Sequence, residues 1–306
     1  MRESDRLRIQ ISRLNLRNPT MLASGILGLS AKIMREVANA GAGAIVTKSI
    51  GLKPREGYPN PTVIQIECGF LNAVGLANPG IHKFAEEIRE MNDLGVPLIV
   101  SIYGFSPEEY VEVAGIAIES GADAVELNLS CPHVKGAGAE IGQDSELAMK
   151  VVGKVKERVN RPVFVKLSPN VTDITELAKA AVSAGADAIT AVNTFRAMSI
   201  DIETHRPILA NKIGGLSGAA VKPIAVRCVY EIYEAVDVPV IGCGGIKTWR
   251  DAVEFMLAGA SAVQIGSAIA IEDLVIFKSV AEGIASYLEK KGFGNVKEIV
   301  GLAHEC

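Results

Sequence analysis

Apolar residues in this chain gather into short runs, and four of these runs share one pattern. They are Ala40-Gly41-Ala42-Gly43-Ala44-Ile45-Val46, Ser120-Gly121-Ala122-Asp123-Ala124-Val125-Glu126, Ala184-Gly185-Ala186-Asp187-Ala188-Ile189-Thr190 and Ala258-Gly259-Ala260-Ser261-Ala262-Val263-Gln264. Each begins with a glycine suited to the end of a helix and runs into a short strand. Three further runs, Val96-Pro97-Leu98-Ile99-Val100, Arg161-Pro162-Val163-Phe164-Val165 and Val238-Pro239-Val240-Ile241, open on proline. Proline has no N–H to give a neighbouring strand, so it belongs where a strand begins. With Asn18 to Ala23 the pattern predicts eight strands.

Segments of helical period lie between them, such as Ser145 to Val159 and Ile174 to Ala184. Strands alternating with helices make right-handed parallel crossovers. The prediction is therefore an α/β chain folded as a (β/α)8 barrel of the TIM type, with residues 1–306 as a single domain. A doubly wound sheet competes, but it usually has fewer strands and a nucleotide fingerprint after the first; Gly25-Ile26-Leu27-Gly28 lacks that spacing. Leu7 to Ile11 and Leu14 to Leu16 alternate as an N-terminal β-hairpin does, and are placed across the barrel bottom. Two connections, 51–79 after strand two and 195–219 after strand six, exceed plain turns. Loops of that length usually serve binding or cover a site, and these emerge at the C-terminal face.

Composition narrows the function classes. The chain is 49% hydrophobic and 22% charged with a net charge of -4, as expected for a protein with a large core. Its Lys and Arg residues are scattered, which gives no basic face for nucleic acid. No stretch has signal-peptide or membrane-span character, so a cytoplasmic location is expected. Five cysteines without a C-x-x-C pair argue against a disulfide scaffold, and the four histidines lack metal-ligand spacing, so no metal is expected.

Candidate chemistry collects at the ends of the predicted strands. Lys48 follows strand two, Asn128 and Cys131 strand four, Lys166 strand five, and Asn193 and Thr194 strand six. The C-terminal ends of barrel strands are where such folds place their active residues. Cys131, between Ser130 and Pro132, should sit on a constrained loop, although a small buried apolar role would also suit it. A lysine that ends an apolar run needs a ligand anion or a structural carboxylate partner, because an unpaired buried charge is costly. Gly242-Cys243-Gly244-Gly245-Ile246 and Gly266-Ser267 lie where barrels bind phosphate through backbone N–H groups, with tight turns as the plainer explanation. Asn72-Ala73-Val74-Gly75-Leu76-Ala77-Asn78-Pro79-Gly80 adds amides that can bracket a planar, amide-rich ligand. Asp201 to Arg206 reads as a solvated loop that could also touch a partner.

Taken together, Asn72 to Gly80, Asn128-Leu129-Ser130-Cys131-Pro132, Val165-Lys166-Leu167-Ser168-Pro169-Asn170, Val192-Asn193-Thr194, Gly214-Gly215-Leu216-Ser217-Gly218 and Gly244-Gly245 resemble the dihydroorotate dehydrogenase family. The resemblance spans nearly the whole chain. Cysteine at 131, where the membrane-associated class carries serine, points to class 1. The stretch from Asp201 to Gly218 resembles the class 1B catalytic subunit, and class 1A, a homodimer using fumarate, is the alternative.

The resemblance implies FMN-dependent oxidation of (S)-dihydroorotate to orotate in pyrimidine (UMP) biosynthesis. Cys131 would be the base that removes the C5 proton as hydride passes from C6 to the flavin. Lys48, Asn72, Ala73, Val74, Gly75, Leu76, Asn128, Asn193 and Thr194 would bind substrate. Ser24, Lys48, Ser49, Ser101, Asn128, Lys166, Val192, Gly218, Gly244, Gly245, Gly266 and Ser267 would hold FMN, with Lys166 beside the N1/O2 edge of the ring. The class 1B likeness further implies a homodimer core in a heterotetramer with a partner subunit carrying FAD and a [2Fe–2S] cluster, through which electrons reach NAD. Two residues depart from the family pattern, namely His133, where Asn is common, and Ser101, where a flavin-contacting Asn is usual. Other readings are a flavin enzyme acting on uracil-type pyrimidines, a Schiff-base aldolase using Lys166 or Lys48, and a flavin-binding subunit without catalysis of its own.

Overall fold

The computed structural model describes residues 6–129 and 141–305. An antiparallel hairpin comes first, β1 (Ile9–Ile11) and β2 (Leu14–Leu16), with Ile9 opposite Leu16. Its alternation is that of a half-buried ribbon: Ile9, Ile11, Leu14 and Leu16 are buried, while Gln10 and Asn15 are exposed. Three residues then lead into β3 (Thr20–Leu22), so the hairpin sits at the N-terminal end of the first barrel strand, as its sequence predicts.

After β3 come α1 (Ala31–Asn39) and β4 (Ala44–Val46). A long excursion then carries β5 (Val63–Ile66) and β6 (Gly69–Asn72) before α2 (Ile81–Glu90) and β7 (Leu98–Ile102). Regular alternation follows through α3 (Pro107–Glu119), β8 (Ala124–Asn128), α4 (Ser145–Arg158), β9 (Val163–Leu167), α5 (Ile174–Ser183) and β10 (Ala188–Ala191). A second excursion holds β11 (Phe195–Ala197), β12 (Ile200–Asp201), β13 (Arg206–Pro207) and β14 (Gly214–Ser217). The chain continues through α6 (Lys222–Ala235), β15 (Val240–Cys243), α7 (Trp249–Leu257), β16 (Ala260–Ile265), α8 (Ile269–Glu272) and α9 (Val275–Lys291).

Eight parallel strands close in the order β10-β15-β16-β3-β4-β7-β8-β9, which is the predicted (β/α)8 barrel. The strands fall where the apolar runs lie, and several begin about two residues later than those runs. Proline explains part of that offset. The carbonyls of Pro19, Pro97, Pro162 and Pro239 accept ladder bonds from Val263, Ile45, Val125 and Ile189, while each proline needs no donor site. The next residue's N–H is then taken by a side chain, Leu98 donating to Asp123 Oδ2 at 2.9 Å and Val163 to Asp187 Oδ2 at 2.7 Å. The odd barrel strands thus follow directly on proline, and in two of them, β7 and β9, the aspartates of the Ala-Asp-Ala repeats tie the strand to the next one, β8 and β10.

The two excursions do not remain separate loops. They combine into one antiparallel sheet, ordered β11-β14-β6-β5, in which Asn72 lies opposite Gly215 and Phe70 opposite Ser217. Leu71, Ala73 and Leu209 form a small core of their own beneath it. Among the described residues no helix is long and apolar enough to cross a membrane.

Candidate active site

Strands of a parallel barrel all end at one face, and a cavity of about 370 Å³ opens there between the strand ends and the β6–β14 sheet. Its floor is a buried polar network. Lys166 on β9 is 2% exposed, Glu126 on β8 is 0% exposed and Gln264 on β16 is 1% exposed. The Lys166 Nζ donates to Gln264 Oε1 at 2.8 Å and to Ser24 Oγ at 3.3 Å. Beneath it, Glu126 Oε2 accepts from Gln264 Nε2 at 2.5 Å and from Thr190 Oγ1 at 2.9 Å. Glu126 Oε1 lies 4.0 Å from the ammonium and accepts no hydrogen bond among the described residues. Lys166 therefore combines the two roles weighed from the sequence, since it borders the cavity and also has a buried carboxylate close by.

Cys243, at the end of β15, borders the same cavity. Burial pushes its thiol up from the ordinary range, and the nearby Lys166 ammonium offsets that only in part.

A second polar chain runs along the wall. Asn193 Nδ2 donates to Asn128 Oδ1 at 3.2 Å, Asn128 Nδ2 donates to Ser49 Oγ at 3.0 Å, and Ser49 Oγ lies 2.9 Å from Ser101 Oγ. The Thr194 N–H donates to Asn193 Oδ1, which fixes the turn after β10. On the covering sheet, Asn72 Nδ2 donates to the Gly215 carbonyl at 3.1 Å, so the two excursions are joined at the cavity wall. Leu76 follows in a left-handed conformation with φ 60°.

The glycine turns after β15 and β16 form another part of the wall. Gly245 has φ +76°, and a Cβ there would lie 2.8 Å from the Gly218 carbonyl oxygen. At Gly218, φ +105°, a Cβ would lie 2.5 Å from Gly69 Cα. Tight turns and close chain approach thus account for glycine at both positions. They do not account for the N–H groups of Gly244, Gly245, Gly266 and Ser267, which donate to no acceptor among the described residues. Four unengaged donors bordering one cavity suit an anion such as a phosphate.

Most residues singled out from the sequence meet here. Ser24, Lys48, Ser49, Asn128, Lys166, Val192, Asn193 and Thr194 border the cavity from the barrel side. Asn72, Val74, Gly75, Leu76 and Gly218 come from the excursions, and Gly244, Gly245, Gly266 and Ser267 from the last two turns. Two do not border it. Ser101 is fully buried behind Ser49, and Ala73 points into the small core with Leu71 and Leu209. Cys131 lies outside the described residues, as do Ser130 and His133; β8 ends three residues before Cys131.

Sequence reasoning missed Gln264 and the apolar wall of Val63, Phe70 and Leu216. Gln264 carried a usable signal, a single amide within the apolar run Ala262-Val263-Gln264-Ile265. Among the described residues no three His, Cys, Asp or Glu side chains are placed to share a metal ion.

A family model described as Dihydroorotate dehydrogenase matches residues 6–288. The chain belongs to the dihydroorotate dehydrogenase family. Within that family it is 51% identical to a Pyrococcus furiosus protein over 299 residues, 98% of this chain and 99% of that one. It is 52% identical to a Methanocella arvoryzae protein over 292 residues, covering 95% of each. Both carry the name dihydroorotate dehydrogenase B (NAD(+)), catalytic subunit. A crystal structure of DHODH in complex with ferulenol, from Eimeria tenella, superposes with a TM-score of 0.88 over 100% of this chain and 90% of that one. At 22% identity, that likeness speaks for the shared barrel fold.

Proposed function

We propose that this chain is the FMN-binding catalytic subunit of a class 1B dihydroorotate dehydrogenase, oxidising (S)-dihydroorotate to orotate in de novo pyrimidine (UMP) biosynthesis. The observation that carries the reading is a single cavity uniting a buried ammonium, four unengaged backbone donors and a wall of carboxamides. Bound FMN would supply the acceptor for the hydride that leaves C6 of the substrate. The amides of Gly244, Gly245, Gly266 and Ser267 bind its phosphate, with Ser24, Ser49, Val192 and Gly218 completing that part of the site. Lys166 contributes the positive charge that favours a ring gaining electrons.

Substrate is held by the chain's own polar groups. Asn72, Asn128 and Asn193 each offer a donor and an acceptor to the edges of the pyrimidine ring. Lys48 supplies charge for the substrate carboxylate and contacts the cofactor, and Val74, Gly75, Leu76 and Thr194 shape the remaining wall. Ser101 serves the cofactor indirectly by anchoring Ser49. Ala73 serves the substrate indirectly, its N–H donating to the Thr62 carbonyl just beyond Asn72. Cys131 takes the C5 proton; an ordinary thiol has a pKa of ~8.5, so this step needs the thiolate to be favoured or the thiol to be brought directly to that proton.

A separate subunit carrying FAD and a [2Fe–2S] cluster passes the electrons to NAD, around a homodimer of this chain in a cytoplasmic heterotetramer. The names of the relatives, each a catalytic subunit of an NAD(+) enzyme, support a partner over direct use of fumarate. Assays with different acceptors test the proposal. The chain alone should form orotate with an artificial dye but reduce no NAD, and added partner should restore NAD reduction. NAD or efficient fumarate reduction by the iron-free chain alone would overturn the class 1B assignment, and no orotate with any acceptor would overturn the reading altogether.

A further inference from the structure

Glu126 has no task in the reaction as described, yet it is a fully buried carboxylate inside the barrel. A carboxylate only accepts hydrogen bonds and an ammonium only donates them, so an amide between the two has one permitted orientation. Gln264 is that amide. Its NH2 end must face Glu126 and its oxygen must face Lys166, as the 2.5 Å and 2.8 Å contacts show. Thr190 adds a second donor to Glu126 Oε2, which holds the carboxylate below the floor. The ammonium therefore keeps its counter-charge at 4.0 Å and is drawn toward Gln264 and Ser24, at the cavity surface.

We infer that Glu126 and Gln264 are positioning residues for Lys166: the Glu126 carboxylate is its counter-charge and acts through the oriented Gln264 amide, so the positive charge is displayed to the cavity instead of being quenched in a direct ion pair. The same buried charge without a partner would be disfavoured as an ammonium. The inference concerns residues of this chain and rests on the FMN reading only for one of its two readouts.

Sulfite provides that readout, because its addition to a flavin places negative charge on the ring and is favoured by a nearby cation. Glu126→Gln keeps the size of the side chain and removes its charge. In the flavin-loaded chain it should weaken sulfite binding at least tenfold, as Lys166→Met should. The exchange of the two groups, Glu126→Gln with Gln264→Glu, returns a carboxylate to the network but sets it directly against Lys166 Nζ, where Gln264 Oε1 now lies at 2.8 Å, so the ammonium is kept but quenched and sulfite binding should stay at least tenfold weaker than in the natural chain. Unchanged sulfite affinity in Glu126→Gln, or a lowered melting temperature as its only effect, would overturn the inference in favour of a structural role.

A natural chain that purifies and reconstitutes without flavin would contradict the FMN reading and leave the inference testable. Acetic anhydride then reports the charge on Lys166 directly, since it acylates the neutral amine. Lys166 labelling, measured against Lys32 in the same sample, should rise at least tenfold in Glu126→Gln and fall back in the exchanged variant. Equal labelling in the natural chain and Glu126→Gln would overturn the inference.

Discussion

Replacing Gly245 by alanine tests the proposed phosphate wall through a single methyl group. Alanine in the left-handed region costs about 1–2 kcal/mol, and Gly245 has φ +76°. The added Cβ would stand 2.8 Å from the Gly218 oxygen, 2.9 Å from Lys222 Cβ and 3.1 Å from Lys222 N. Two of those atoms belong to backbone and cannot rotate aside, so a segment must move, at a typical overpacking cost of about 1–3 kcal/mol. The total is about 2–5 kcal/mol.

If the chain relieves the contact by shifting the Gly244–Gly245 turn, the cost appears as lost alignment of the amides proposed to bind phosphate. Borne wholly by the ligand, it corresponds to roughly 30-fold to a few thousandfold weaker FMN binding. Gly292→Ala is the control, because Gly292 has φ +81° at the end of α9 and a Cβ there meets nothing within 4 Å. That variant should show the backbone cost in thermal unfolding and bind FMN normally. Titration of the flavin-depleted chains, followed by quenching of FMN fluorescence, separates the two. FMN affinity within threefold of the natural chain in Gly245→Ala, with unfolding like that of Gly292→Ala, would refute the reasoning.

Two further outcomes are expected. Cys131→Ser should keep its flavin but slow reduction by dihydroorotate about 10²- to 10⁴-fold near neutral pH in stopped-flow traces, because a hydroxyl seldom ionises there; equal rates would remove Cys131 as the base. Burial works against the Asp251 carboxylate, but Lys222 at 2.8 Å and the Lys247 and Thr248 amides hold its carboxyl below the usual range, and Asp251 and Glu254 in turn raise Lys222. A depressed carboxyl stabilises the fold above its unfolded value near ~4 and loses that stability as pH falls through its folded value. A raised lysine acts at the other end, stabilising below its unfolded value near ~10.4 and losing that contribution as pH rises through its folded value. Asp251→Asn should therefore flatten the acid limb of a melting-temperature profile below about pH 4 and cost about 1 kcal/mol at neutral pH through the weakened α7 cap; an unchanged acid limb would contradict this.

The barrel was legible because parallel strands buried on both faces read as unbroken apolar runs, here punctuated by glycine and proline. Their starting points were less legible. The ladder begins only where Pro97 or Pro162 has passed and an aspartate from the next strand takes the following N–H, which depends on a tertiary contact. The covering sheet could not be read at all. Its strands have four residues or fewer, and the Asn72 to Gly215 pairing spans 143 positions.

In the site, strand-end lysines and asparagines stood out against apolar runs and did converge on the cavity. Ser101 and Ala73 were assigned by their place in a motif, whereas the structure turns one toward Ser49 and the other into the small core under the sheet. Gln264 and Glu126 lay in plain sight as polar residues within apolar strands. Their meaning emerged only when the barrel closed and brought β8, β9 and β16 around one ammonium.

The most direct test of the account is anaerobic addition of one equivalent of dihydroorotate to the flavin-loaded chain, with neither NAD nor fumarate present. The account predicts that the visible absorbance of the flavin bleaches and that an equal amount of orotate appears, because the first half-reaction needs only this chain. A flavin that stays oxidised with the substrate unconsumed would contradict it.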